Sequence, residues 1–396
     1  MKDVQNIKKY KITDCKSLNG IVLGQDLETG DITTSNPSEN VLVVGPTRCG
    51  KGVNTVMPTA FLWNESAIFV DWKGELWSTT SDYRKSVLHQ NVINFSPFSG
   101  SACTAHWNPL KEIELGEGEL SDVICIAKAI LSPENDINSS WLLTGAIMHL
   151  LYKHYNNNLP CPSMADVLTF IEKDKFEDEM IERPYTRTAA KLLKNLPDKQ
   201  YIAALRSVQE SLAVFKNRTV YENTAKSDFL IRDLFDKKQK LSVYLTWNIA
   251  EISHRSPINN LFLQLLLHKL NREIKNYLAE NDIPCKSSHL LLMLDEFAGL
   301  DKQDLLEIPL CEGKNYGLTT CIVCQSMDQL RKYDEAGKNM IVDNCQTQVI
   351  FSPISSESMT NNASATQTKA FLITGKKEQL IDLIKYYDTP FIFNRK

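Results

Sequence analysis

An α/β fold, with a mostly parallel twisted sheet interrupted by an all-α insertion, is predicted by three features of the 396-residue sequence. Short, continuous apolar runs occur in two separated regions, as expected of strands buried on both faces of a parallel sheet. A glycine-rich loop follows the first run and precedes a helical pattern. Between the two strand-rich regions, residues 111–236 carry helical periodicity instead.

The elements follow in order. Strands are predicted at Asn40–Val44, Ala67–Asp71 and Asn91–Phe95, with a crossover helix over Gly50–Phe61. Helical spacing then marks Leu120–Leu131, Trp141–Tyr155, Met164–Glu172 and Tyr201–Phe215. Strands resume at Leu241–Trp247, His289–Asp295, Leu318–Cys324 and Gln348–Ser352, with a long apolar-faced helix at Pro257–Leu278. Only Ser352–Gln367 has linker-like composition. The expected organisation is a first part of a nucleotide-binding domain in 1–110, the all-α insertion in 111–236, and the second part with a C-terminal tail in 237–396.

Composition narrows the class. Lysine plus arginine number 44 and aspartate plus glutamate 48, a formal net charge of −4, so the chain offers no bulk attraction to nucleic acid. A 43% hydrophobic content with 16 glycines and 15 prolines excludes collagen-like and largely disordered proteins. No run approaches the roughly 18 consecutive apolar residues of a membrane-spanning helix. Met1–Lys11 lacks the apolar core of a secretory signal. The sequence reads as a soluble intracellular chain. Its ten cysteines are scattered, and the one C-x-x-C pair, Cys321 and Cys324, lies in an apolar run that reads as buried strand rather than a zinc or redox site.

Gly45-Pro46-Thr47-Arg48-Cys49-Gly50-Lys51-Gly52 fits the G-x-x-x-x-G-K phosphate loop. Such glycines let backbone N–H groups curl around a phosphate at a helix N-terminus, and Lys51 is placed to reach the β- and γ-phosphates. The hydroxyl that ordinarily holds Mg²⁺ is replaced by Gly52, and Thr55 lies nearly a turn too far along. Mg²⁺ then falls to water and Asp295, or nucleotide affinity is weak. His289–Glu296 is an apolar run ending in two carboxylates, the Walker B pattern: Asp295 would support Mg²⁺ and Glu296 would activate a water. Alone, the pair also reads as solvated acids ending a strand. Gln325 ends the next predicted strand, where a glutamine contacts the γ-phosphate or the attacking water.

Together these residues resemble the VirD4/TraG type IV coupling proteins. The loop resembles their G-P-T-R-S-G-K-G, including the unusual glycine. Asp71-Trp72-Lys73-Gly74-Glu75 resembles D-x-K-G-E, and Trp107-Asn108-Pro109-Leu110 resembles F-N-P-L. Asp295-Glu296-Phe297, then Glu312-Gly313-Lys314-Asn315-Tyr316-Gly317, then Gln325-Ser326 and Lys385-Tyr386-Tyr387 follow in the family's order. The resemblance implies a RecA-like P-loop ATPase using ATP and Mg²⁺, slow in isolation and acting as a homo-hexamer. It implies recruitment of a relaxase–DNA complex or protein substrates to the channel components of a type IV secretion or conjugation machine, through the helical insertion. Lys314 stands where the family carries a catalytic arginine acting on a neighbouring subunit, and lysine lacks that bidentate fork. The family's N-terminal membrane helices are missing, which implies a cytoplasmic protein: either a soluble variant, or one peripheral at the cytoplasmic face of the inner membrane with membrane contact only through a partner. The segment 353–371 is shorter than in the family. Gly52, Lys314 and the missing anchor keep open an alternative, a nucleotide-binding substrate receptor or adaptor with little or no hydrolysis.

Other residues read two ways. Arg48 is a phosphate or neighbour contact, or merely solvated. Lys191, Lys194, Lys199 and Arg206 form a solvated helix face or a weak phosphate contact. Trp63, Trp72, Trp77, Trp107 and Trp141 read as packing residues, and His149 and His154 lack a third ligand for a metal.

Overall fold

The computed structural model describes residues 7–10, 20–100, 104–131, 137–181, 186–236, 238–246, 257–280, 289–297, 306–351, 369–375 and 377–388. Among them, twelve strands form one sheet. They are β1 (Ile7–Tyr10), β2 (Val22–Gln25), β3 (Ile32–Ser35), β4 (Val41–Val44), β5 (Ser66–Asp71), β6 (Asn91–Phe95), β7 (Leu241–Thr246), β8 (Leu290–Leu294), β9 (Leu318–Cys324), β10 (Thr347–Ile350), β11 (Lys369–Thr374) and β12 (Lys377–Asp382). Their spatial order is β1-β3-β2-β12-β11-β10-β4-β9-β8-β5-β7-β6. Pairing is parallel from β10 through β4, β9, β8 and β5 to β7. From β10 outward through β11, β12, β2 and β3 to β1 it is antiparallel.

The chain divides into two compact units, one of Met1–Ile93, Leu234–Thr246 and Asn271–Lys396, the other of Asn94–Asp233 and Trp247–Leu270. In the first unit every residue of β4, β5, β7, β8 and β9 is buried, the condition for a parallel sheet covered on both faces. These are the strands the apolar runs predict, with ends shifted by a residue or so. The antiparallel flank was not anticipated. Its strands are short or polar, such as Ile32-Thr33-Thr34-Ser35 and Lys377–Asp382, so no apolar run marks them. A signal existed at Gly375, whose φ of 59° suits the tight turn between the paired β11 and β12. The expected linker Ser352–Gln367, Trp247, and Cys15, Cys103 and Cys285 lie outside the described residues.

The helix after the glycine loop begins at Gly52 rather than Gly50, as a π-turn over Gly52–Val56 that continues into α1 (Met57–Leu62). After β5 comes α2 (Glu75–Ser86), whose Arg84 is completely buried. Its guanidinium donates to the Trp63 carbonyl (2.9 Å), Ser242 Oγ (2.9 Å) and Gln90 Oε1 (2.7 Å), and also to the Ala60 carbonyl. Burial lowers its pKa to about 10, and neutral oxygens rather than a carboxylate satisfy it. Cys321 and Cys324 are buried in β9, as the apolar run predicts. Tyr386 stacks on Phe61 with centroids 5.9 Å apart, which gives the Lys385-Tyr386-Tyr387 segment a packing role.

The second unit is helical: α3 (Glu119–Ile130), α4 (Ile137–Asn157), α5 (Met164–Ile171), α6 (Phe176–Ile181), α7 (Arg187–Lys194), α8 (Asp198–Leu212), α9 (Arg218–Thr224) and the start of α10 (Pro257–Glu280). A capping box at Ser163 and Asp166 starts α5. The Trp107-Asn108-Pro109-Leu110 segment is its hub. Fully buried Asn108 donates Nδ2 to the carbonyls of Pro162 (3.0 Å) and Ala225 (3.3 Å) and accepts the Leu110 N–H (3.0 Å). Trp107 Nε1 donates to Glu112 Oε1 at 2.7 Å, and the Ile231 N–H donates to the same oxygen at 2.9 Å. Lys269, itself buried, donates to the Glu112 carbonyl and to Asp122 Oδ2 (2.9 Å), while His268 Nε2 meets Asp122 Oδ1 at 3.0 Å.

Burial lifts the Glu112 carboxyl to about 7, against hydrogen bonds from Trp107 and Ile231 and the field of Lys269 that lower it. A folded pKa raised above the unfolded one contributes stability below about pH 4.5 that is lost as pH rises through 7. Denaturant midpoints of Glu112→Gln and the parent chain, compared from pH 5 to 8, should therefore diverge. The glutamine variant, which keeps an acceptor for both donors, is expected to gain up to ~2–3 kcal/mol relative to the parent by pH 8.

Candidate functional site

Four parallel strands bring the site together. β4, β9, β8 and β5 are successive neighbours, with Val44 opposite Cys324, Ile322 opposite Leu294, and Val70 opposite Leu294. Their C-terminal ends therefore deliver the glycine loop, Gln325, Asp295 with Glu296, and Asp71 to one edge. At about 4.8 Å per strand, these groups span roughly 15 Å.

The loop leaves β4 at Gly45, whose N–H donates to the Cys324 carbonyl at 3.2 Å. A Cβ on Gly45 would lie 2.5 Å from the Phe351 Cβ and 2.8 Å from Cys49 Sγ, so only glycine fits. Gly50 has φ of 98°, and a side chain there would strike the Asn54 amide, which donates to the Gly50 carbonyl at 2.7 Å. Arg48 is exposed, with φ of 64°. The Lys51 ammonium donates to the carbonyls of Gly45 and Pro46 (2.9 Å for the latter), inside the loop's own curl. Beside Gly52 the Cβ direction is open, with nothing within 4 Å. The Thr55 hydroxyl is fully buried one turn on, with no described hydrogen-bond partner.

Asp71, which is buried, and Asp295, which is half-buried, are the acids of this edge. Asp71 Oδ2 accepts the Trp77 N–H at 2.7 Å and so caps α2, yet burial still raises its carboxyl above the usual range. Asp295 is pushed up to about 6 by burial, and the charges of Glu296 and Asp71 raise it further, while the Glu296 N–H and Lys51 act the other way. Trp72 Nε1 donates to the Asp295 carbonyl at 3.1 Å, tying the end of β5 to the end of β8. Glu296 has a left-handed backbone, φ 49°, and its Oε1 accepts from Lys73 Nζ at 2.8 Å. Gln325 is exposed, and its N–H donates to Gln329 Oε1 at 2.7 Å.

The sequence-predicted residues Gly45 to Gly52, Asp295, Glu296 and Gln325 thus share one edge. Lys314 does not join them. It lies in the 3₁₀ turn Gly313–Tyr316 before β9, whose seven residues separate it from Gln325 by roughly 20 Å. There it borders a small cavity with Glu39, Asp343 and Thr347, and its charge acts on Glu39. Reading the sequence assigned no separate part to Asp71 or Lys73. Both were visible only inside the D-x-K-G-E resemblance, because contact across two strands leaves no local pattern.

The exceptional feature is a half-buried, partly uncompensated Asp295. Its raised pKa means that the ionised carboxylate costs folding free energy above about pH 6 and costs nothing below 3.8. Asp295→Asn, which keeps the acceptor for the Glu296 N–H, is expected to raise the melting temperature of the ligand-free chain at pH 8, by ~2 kcal/mol of stability. The gain should vanish as the pH is lowered toward 4, which a pH series of thermal melts would check.

The chain resembles known proteins over most of its length. Residues 1–365 match the family described as Type IV secretory system Conjugative DNA transfer. Conjugal transfer protein TraG of Escherichia coli is 32% identical over 377 residues, covering 87% of this chain and 57% of that protein. Protein VirD4 of Rhizobium radiobacter is 26% identical over 359 residues, covering 84% and 48%. This chain therefore spans about half the length of the curated relatives it matches. Among solved structures, plasmid coupling protein TrwB in complex with the GTP analogue GDPNP superposes with a TM-score of 0.62 at 17% identity, over 88% of this chain and 86% of that one. VirB4 of Thermoanaerobacter pseudethanolicus gives 0.54 at 13% identity, over 92% and 96%. These matches share the fold, a RecA-like α/β sheet, and with the family match over most of its length the chain belongs to the type IV secretory system conjugative DNA transfer family.

Proposed function

We propose that this chain is the ATP-hydrolysing part of a coupling protein, which recruits DNA with bound relaxase, or protein substrates, to a type IV secretion channel and drives their transfer. The observation that carries the reading is the convergence of the glycine loop, Lys51, Asp71, Asp295, Glu296 and Gln325 on one sheet edge. In open α/β sheets ligands bind at that carboxyl edge. Structures of TrwB in complex with the ATP analogue ADPNP, and with ADP and Mg²⁺, lend support.

The residues present fit a magnesium-bound nucleoside triphosphate. Backbone N–H groups of residues 45–52 would cradle the phosphates, and Lys51 Nζ would exchange its carbonyl partners for phosphate oxygens. Asp295 would hold Mg²⁺, whose positive charge offsets the burial that now raises its carboxyl. Mg²⁺, when bound, supplies electrostatic stabilisation of charge on the transferring phosphoryl group. Gly52 contributes no hydroxyl, so that ligand position would fall to water. Glu296 would accept the proton of the attacking water at a carboxylate oxygen, and the Gln325 side-chain amide would donate to that water or to the γ-phosphate.

Lys314 sits on the opposite edge, so it would act on the nucleotide of another copy, as in a homo-hexamer. No helix among the described residues is long and apolar enough to cross a membrane. We assign membrane contact to a partner at the cytoplasmic face of the inner membrane. Gly52 favours a second reading, a receptor that binds nucleotide with little turnover.

Hydrolysis measured against protein concentration, with and without single-stranded DNA, separates the readings. Turnover per chain should rise with concentration, and Lys51→Ala should abolish it. Glu296→Gln should bind nucleotide but lose about 10²-fold or more in kcat. Lys314→Ala and Lys51→Ala, each inactive alone, should regain turnover when mixed, since each copy supplies what the other lacks. Nucleotide binding without turnover at every concentration would establish the receptor instead.

A further inference from the structure

The ion pair between Lys73 and Glu296 is unused by the mechanism above, although it occupies the carboxylate that the mechanism needs. We propose that Lys73 is a positioning residue that holds Glu296 away from the attacking water until the site is loaded, and so keeps idle hydrolysis low. This rests on the hydrolase reading.

Three observations carry it. Lys73 rides on a fixed turn: the Gly74 N–H donates to the Asp71 carbonyl at 3.2 Å, Gly74 has φ of 69°, and Asp71 caps α2 through the Trp77 N–H. The acceptor side is the strained one. Glu296 is a non-glycine residue at φ 49°, restrained by its N–H to Asp295 Oδ1 (2.9 Å) and by Lys73 Nζ to Oε1 (2.8 Å). A strained residue held by two such bonds has an alternative conformation available once they are released. The hydrogen bond to Glu296 raises the Lys73 amine above its ordinary value, helped by the charges of Glu296, Glu75 and Asp295 and opposed by desolvation.

The pair is also weak enough to open. Both side chains are nearly half exposed, 46% and 41%, where ion pairs contribute little. One neighbouring bond uses Asp295, the residue proposed to receive the cation, so loading the site disturbs the frame that holds Glu296. A stronger, buried pair would lock the enzyme off.

Two measurements on the full chain test this. In the first, amine reactivity of Lys73 is followed by brief acetic anhydride labelling and mass spectrometry, with no turnover needed. Glu296→Gln should raise Lys73 labelling about threefold or more, and unchanged labelling overturns the proposal. In the second, Lys73→Met should raise DNA-independent kcat by up to about fivefold, ~1 kcal/mol at 1.36 kcal/mol per tenfold. KM should move less than about twofold, and Lys73→Arg should restore the low rate. The gain must vanish in a Glu296→Gln background, because Lys73 acts through Glu296. A fall in kcat, a rise in KM alone (a phosphate ligand), or a gain that survives Glu296→Gln overturns the proposal while leaving the hydrolase reading intact. If the parent and Lys73→Met bind ATP but neither turns it over, the hydrolase reading falls and the latch falls with it. The labelling arm still reports whether the pair forms.

Discussion

Parallel strands all point one way, so every strand-to-helix turn on β4, β9, β8 and β5 emerges at the same edge, and the site consists of those turns. This places a severe demand on register, because a slip of one residue in β9 would turn Cys324 and Gln325 to the opposite face. Strands buried on both faces carry no apolar–polar alternation to set that register. Polar side chains at the other edge do so instead. Asn40 accepts the Thr320 N–H at 3.2 Å and donates to the Leu310 carbonyl at 2.8 Å, and the Ser38 N–H donates to Thr319 Oγ1 at 2.9 Å. Those contacts pin β4 against β9 at their starts, so the loop and Gln325 stay aligned at their ends.

Burial does opposite things at the two kinds of polar cluster. Arg84 and Asn108 are as buried as any residue in the chain, but neutral acceptors and donors surround them, and their role is to join elements. Asp295 is half-buried, with the charges of Glu296 and Asp71 acting on it and too little compensation, so its own charge is held at a cost. Under the proposed function a bound cation would relieve that cost, and the stability forgone without it would become binding free energy.

The family motifs accordingly divide by job. The glycine loop, Asp295 and Glu296 are the ones to which the proposed function assigns chemistry. Trp107 and Asn108 organise the helical unit through hydrogen bonds to Glu112, Pro162 and Ala225. Asp71 does both, as a helix cap and as one of the acids of the edge, while Tyr386 packs against Phe61. A conspicuous motif is therefore no guide to catalysis until its contacts are known.

Local chemistry was legible in the sequence. Gly45 and Gly50 announce a loop because a side chain would collide or the backbone is left-handed, and the apolar runs before Gly45 and Asp295 announce buried strands, since both depend only on residues close in the chain. The capping box and helical periodicity of the second unit are local in the same sense. The antiparallel flank was hidden because strands such as Ile32–Ser35 and Lys377–Asp382 are short or polar and carry no apolar run, although each pairs with the strand next to it in sequence. The raised carboxyl of Asp295, the pairing of Lys73 with Glu296 and the remoteness of Lys314 were equally hidden. Desolvation and ion pairing depend on which side chains lie side by side across strands, and the order of strands in a sheet is decided only when the whole chain has packed.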